Sequence, residues 1–350
     1  MNKLMHLMSF LIFFGFSCQK DSNYIKNFPT NNKIVFNSFE FSETVFKPLV
    51  IMLVDNHIIV YDEGSEWVFK VFSAIDYSFL GNIIRRGKGP EEEVEVYPLF
   101  QRIGKDTILY QVPGKINSGR IWVSNQVIHF EKIIEQRLPT KLIDDQNYFK
   151  TGGFYLASII FPSSNLDFRG FNPITEKVFE WGEPTIIQKP KTMNPSDFFV
   201  LPKFTTTNPG KKRLALIYQD IPTLRVYCLE IGKTIFEKNI AKSTLDKEFI
   251  ANGLINNNET EKYYFQIRST SDLIFGLYWG KSFSEIEQSF YGSAGFYPEI
   301  HVFDWDGNPV MKLELDRPIF SFDVTPDNKQ IIAISITDPD HLLVAEIPWD

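Results

Sequence analysis

Three groups of side chains have types and spacings that could do chemistry. The first is a single thiol, Cys18, which directly follows Ser17 at the end of a short apolar stretch. A thiol in that place can take a diacylglycerol, and the lipid would then fix the chain to a membrane. The second is Arg85-Arg86-Gly87-Lys88-Gly89-Pro90, followed by Glu91, Glu92 and Glu93. Successive amides around Gly87 and Gly89 can form a concavity for a carboxylate, sulfate or phosphate, and Arg85, Arg86 and Lys88 would add positive potential beside it. The same residues admit another reading, a structural turn in which Arg85 or Arg86 pairs with one of the three glutamates. The third group is His57, His129, His301 and His341, whose spacing matches no metal motif such as two His four apart on a helix. Only convergence of separate elements could make a site of them, so no metal and no cofactor is expected.

Other stretches imitate known sites and fail on spacing. Gly276 and Gly280, with Lys281 and Ser282 after them, come close to a phosphate-binding loop but are one residue short between the glycines. Asp304-Trp305-Asp306-Gly307-Asn308 imitates part of a calcium loop, yet the distal Glu is missing because position 315 is Leu315. A hairpin turn explains it better. Gly292-Ser293-Ala294-Gly295 is not a nucleophile elbow. Lys211-Lys212-Arg213 follows Pro209-Gly210 and reads as a solvated turn.

The elements that must position these residues begin with a leader. Residues 1–17 carry Lys3, an apolar run to Phe14 and the small residues Gly15 and Ser17, the three-part pattern of a secretory signal. The run is too short for a membrane span, which needs about twenty apolar residues. A lipoprotein signal peptide over 1–17, lipid attachment at Cys18 and a tether over 18–32 are therefore expected. Losing the leader removes Lys3 and no acid, so the net charge moves from −7 to −8. That balance argues against a general nucleic-acid footprint. With Cys18 acylated, Cys228 has no disulfide partner, since the chain has two cysteines.

Hydrophobic residues make up 43% of the 350, enough for a large core, and aromatics 15%. They fall in short β-prone runs broken by Gly, Pro, Asn and Asp, so the chain reads as all-β. Ile58–Tyr61, Trp67–Phe72, Thr107–Gln111, Leu214–Tyr218, Arg225–Leu229, Glu299–Phe303, Val310–Leu315 and Gln330–Ser335 are among the clearest strands. Helical periodicity is confined to Thr244–Ala251 and Phe283–Phe290, expected as loop helices on one face. Strand-turn-strand units recur, with one from about His301 to the C-terminus. At about 50 residues per unit the mature chain holds about six, which predicts a six-bladed β-propeller over 33–350, each blade having four strands. Two β-sandwich domains are the alternative. Lys33–Phe41 alternates apolar and polar residues and is expected to pair with the last unit, closing the ring.

On these residues the chain resembles the TolB-like six-bladed propeller lipoproteins of Bacteroidetes. The resemblance rests on the leader ending at Cys18, on Arg86-Gly87-Lys88-Gly89-Pro90-Glu91-Glu92 and on a final segment WDGNPVMKLELDRPIFSFDVTPD. Glu91 stands where the family often has Gly. Lys20-Asp21 after the cysteine looks like the surface-export signal of such lipoproteins, with one acid where two are typical. The resemblance implies a propeller at the outer membrane, periplasm-facing or on the cell surface, and carries no catalytic residues. The expected function is a lipid-anchored binding or scaffold propeller that presents a loop face to an envelope protein, peptide or glycan. The alternative is an envelope hydrolase or lyase whose His or carboxylate side chains converge on the propeller channel.

Overall fold

The computed structural model describes residues 25, 27–142, 146–158, 166–184, 202–241, 260–292, 295–335 and 337–349. Cys18, the expected leader over 1–17 and the Thr244–Ala251 segment lie outside them. Two strands precede the first blade, β1 (Thr30–Ile34) and β2 (Asn37–Glu40). Blade 1 is β3 (Pro48–Val54), β4 (His57–Asp62), β5 (Trp67–Ser73) and β6 (Phe79–Arg85). Blade 2 is β7 (Phe100–Arg102), β8 (Thr107–Val112), β9 (Lys115–Ser124) and β10 (Val127–Arg137). Blade 3 is β11 (Gln146–Thr151), β12 (Phe154–Ser158), β13 (Leu166–Asn172) and β14 (Lys177–Pro184). Blade 4 is β15 (Lys203–Asn208), β16 (Arg213–Tyr218), β17 (Thr223–Cys228) and β18 (Lys233–Asn239). Blade 5 is β19 (Glu261–Ser269), β20 (Leu273–Ser282), β21 (Glu299–Asp304) and β22 (Pro309–Leu315). Blade 6 takes β23 (Ser321–Val324), β24 (Gln330–Ser335) and β25 (Asp338–Glu346) from the C-terminus, and β2 as its outermost strand. The chain is a six-bladed β-propeller, and two sandwiches are excluded.

Blade packing explains the apolar runs. In β3, Ile51 and Leu53 pack towards blade 6 while Met52 and Val54 pack towards blade 2. Both faces of an inner strand are covered, so apolar residues follow one another without alternation. Six apolar clusters fill the six interfaces between neighbouring blades, and among the described residues the core is divided between them. The outermost strands meet solvent and alternate, as β18 does with its run KTIFEKN.

The expected ring closure is present: β2 pairs antiparallel with β25, with Phe39 opposite Leu342. The stretch is two strands, however. β1 adds in parallel to the outer edge of blade 5, Ile34 opposite Leu315, before the chain crosses to blade 6. The propeller also begins ahead of Lys33. Thr30–Asn32 belong to β1, Ile25 is buried with its amide donating to the Asn239 carbonyl at 2.8 Å, and the Phe28 ring lies 4.7 Å from that of His301. This N-terminal arm occupies the seam between blades 4 and 5.

The unit expected from His301 to the end straddles two blades, because β21 and β22 complete blade 5. Its turn is the hairpin read from Asp306-Gly307. Gly307 has φ +82°, and a Cβ there would lie 2.2 Å from the Phe236 ring. The Asp304 carboxylate accepts the amides of Asp306 (2.9 Å) and Asn308 (2.8 Å), which spends its oxygens on the turn. Helix α1 (Phe283–Phe290) forms where periodicity placed it, started by a capping box between Ser282 and Glu285.

Candidate functional site: the axial channel

The Arg85–Gly89 loop connects blade 1 to blade 2 and already holds an anion, the carboxylate of Glu92. The Gly89 amide donates to Glu92 Oε2 at 2.9 Å, and a Cβ on Gly87 would lie 1.9 Å from that oxygen. Arg85 lies 3.2 Å from Glu66 and 3.8 Å from Glu92. Arg86 is spent on structure: its guanidinium donates to the carbonyls of Ser65 (3.0 Å) and Asp62 (3.2 Å) and lies 5.4 Å from the Tyr61 ring centre. Lys88 is exposed at the tip, with no partner among the described residues.

The histidines do not converge. His57 starts β4, His129 stacks on Trp122 on the outer strands of blade 2, and His341 pairs with Asp338 in blade 6. His301 is buried in blade 5. Its Nδ1 lies 3.0 Å from the Tyr264 hydroxyl, its Nε2 lies 3.0 Å from Glu299, and the Tyr278 ring stacks on it at 4.2 Å. A neutral imidazole protonated on Nε2 satisfies both contacts, donating to Glu299 and accepting from Tyr264. Among the described residues, no group of three or more His, Cys, Asp or Glu could hold a metal.

What the fold does bring together lies on the axis. The innermost strands β3, β7, β11, β15, β19 and β23 surround a cavity of about 1150 Å³. Part of its wall is apolar, with Leu49, Leu99, Phe204, Phe265 and Phe320. Towards the turns that lead into the second strands it becomes polar, and side chains there reach across the axis. Gln101 donates to the Thr207 hydroxyl at 3.2 Å and accepts the Lys150 amide at 3.0 Å, which links blades 2, 3 and 4. Arg268 donates to the Phe322 carbonyl (3.0 Å) and the Ile51 carbonyl (3.1 Å), which links blades 5, 6 and 1. The ring is completed by Arg102 donating to the Leu53 carbonyl at 2.9 Å and by a 2.6 Å contact between the Thr206 and Ser269 hydroxyls. Asp323 accepts the amides of Leu53 and Val324, both at 2.8 Å. Asp55, at the mouth, lies 3.5 Å from Lys105. These two are the carboxylates lining the channel among the described residues, and no histidine lines it. The convergent acid–base set that a hydrolase or lyase would show there is not formed by the described residues.

A model of the family described as TolB-like 6-blade propeller-like matches residues 27–327. The chain belongs to that family. Solved structures agree on the fold of this TolB-like propeller. A DUF4221-family protein from Bacteroides vulgatus superposes with TM-score 0.61 at 12% identity, covering 90% of this chain and 98% of the other. A protein from Bacteroides fragilis described as exported gives TM-score 0.57 at 12% identity, covering 92% and 99%. No curated protein matches the chain.

Gln101, Arg102, Lys150, Arg268 and Asp323 escaped the sequence reading. Each sits near the end of the first strand after an inter-blade connector, in FQR, YFKT, QIRS and SFDV. A polar residue in that position of an otherwise apolar first strand is the signal that marks the channel of this TolB-like propeller.

Proposed function

We propose that the chain is a non-catalytic binding propeller, held at the outer membrane by an acylated Cys18, that takes its ligand at the axial channel. The ligand belongs to an envelope protein, peptide or glycan. The observation that carries this reading is the channel itself. It is a cavity of about 1150 Å³ whose polar groups are fixed in place by bonds between blades. Groups held this way lose little freedom when a ligand arrives, which is the condition for tight and selective binding. The leader over 1–17, and an exported protein among the structural neighbours, support the envelope location.

The test fills the channel without breaking its bonds. Thr205 lines the cavity and its side chain makes no hydrogen bond among the described residues. On arrays of envelope peptides and glycans, Thr205→Trp should lose at least tenfold in affinity while its unfolding midpoint stays near that of the parent. Unchanged binding by the folded variant would remove the channel from the reading.

A further inference from the structure

The channel carries more positive charge than its own residues neutralise. Arg102, Lys150 and Arg268 line it, and among the described residues none of the three has a carboxylate within ion-pair distance. The carboxylate nearest in role, Asp323, has both oxygens engaged by backbone amides. Besides the nitrogens that tie the blades together, Arg102 has two guanidinium nitrogens, Nε and Nη2, and Arg268 one, Nη1, that bond nothing among the described residues. Lys150 is half-buried, and its ammonium has no partner there. Burial pushes the Arg268 guanidinium below its usual value; Asp323 counters this, and the neighbouring charge of Arg102 adds to it. Arg102 and Arg268 are near enough for the charge of one to act on the other, and Lys150 lines the same cavity; like charges there are costly to hold, and an anion in the cavity would offset that cost.

We infer that the axial channel contains an oxyanion subsite in which Arg102, Lys150 and Arg268 receive a carboxylate, sulfate or phosphate group of the ligand. The inference deepens the binding reading and rests on it. Guanidinium groups match the geometry of such oxyanions and reach them with paired N–H donors. The apolar wall formed by Leu49, Leu99, Phe204, Phe265 and Phe320 suits a ligand whose charged group is carried on an organic body. On the Arg85–Gly89 loop the Gly89 amide is taken by the Glu92 carboxylate, whereas no carboxylate lies within ion-pair distance of Arg102, Lys150 or Arg268 among the described residues.

The full chain, purified in mild detergent, is titrated with inorganic phosphate, sulfate and citrate at low salt, and affinity is read by calorimetry and by the shift in unfolding midpoint. At least one probe should bind, and 0.5 M sodium chloride should weaken it. Lys150→Gln removes a charge whose side chain holds no other element, so its unliganded midpoint should stay put while affinity falls roughly tenfold or more. If that midpoint moves, Arg102→Gln serves as the second variant, with the same loss expected. Lys88→Gln, on the loop between blades 1 and 2, should leave affinity unchanged. No binding of any probe by the parent overturns the inference. So does equal binding by the channel variants, or an equal loss in Lys88→Gln, which would indicate general charge attraction. Comparison of the probes separates a preference for carboxylate from one for sulfate or phosphate. Failure here leaves the array result with Thr205→Trp standing, because an uncharged ligand would pass one test and fail the other.

Discussion

At the scale of single residues, this propeller buries charge and balances it locally. Asp167 and Lys203 have fully buried side chains 2.9 Å apart, and Asp167 also receives Arg225 at 2.6 Å and the hydroxyls of Tyr218 (2.8 Å) and Tyr227 (2.6 Å). One carboxylate thus ties blades 3 and 4, and losing it would take away the counter-charge that Lys203 and Arg225 share, although Arg225 would keep Glu237 at 2.5 Å. His301 shows the opposite solution, a buried group kept neutral. Burial holds it below its ordinary value of 6.5 against the pull of Glu299. Below about pH 6.5 the unfolded chain takes up a proton that the folded imidazole refuses, so stability falls as pH falls. Glu299 acts in the same sense at lower pH: burial opposes its charge, but hydrogen bonds from His301 and Lys312 prevail and hold it below the usual carboxylate range. The urea midpoint should therefore drop from pH 7.5 to pH 5.5, and His301→Gln should flatten that drop. An identical drop in the variant would place the proton uptake elsewhere.

Among the elements, β2 has the largest consequence for its size. Four residues supply the outermost strand of blade 6 and join the two ends of the chain. A chain starting at Phe41 would leave β25 as a bare edge and would strip β1 from blade 5, so it should melt lower and self-associate. Light scattering with a melting curve checks this, and a monomer with the parent's midpoint would deny β2 its role. The same strand shows what was legible in the sequence and what was not. Strands and turns could be read because local apolar runs and Asx-Gly chemistry declare them, and Phe283–Phe290 because its periodicity and cap agree. The phase of the blades could not. The last blade borrows its fourth strand from the N-terminus, so a unit begun at His301 takes in β21 and β22 of blade 5 and misplaces the boundary by two strands. The anion loop was visible because its residues are contiguous. The channel residues, from Gln101 to Asp323, come one or two to a blade, and only the closed ring places them side by side.

For the whole molecule, the blades are joined twice, by apolar seams between neighbours and by side chains that meet across the axis. Gln101 and Arg268 each span three blades, so distortion at the channel is shared around the ring. Attachment of the molecule is the remaining question at this scale. Cys18→Ala should move the protein from the membrane fraction to the soluble one with its fold retained, and unchanged retention in membranes would sink the lipid anchor. The N-terminal arm adds a constraint on posture. Ile25, the first of the described residues, is seated on the propeller, and six residues, Gln19 to Tyr24, lie between it and Cys18. Fully extended, that leash reaches about 25 Å, little more than the radius of gyration of about 20 Å typical of a domain this size. An acylated protein would thus be moored by its rim, at blades 4 and 5, with little slack to swing.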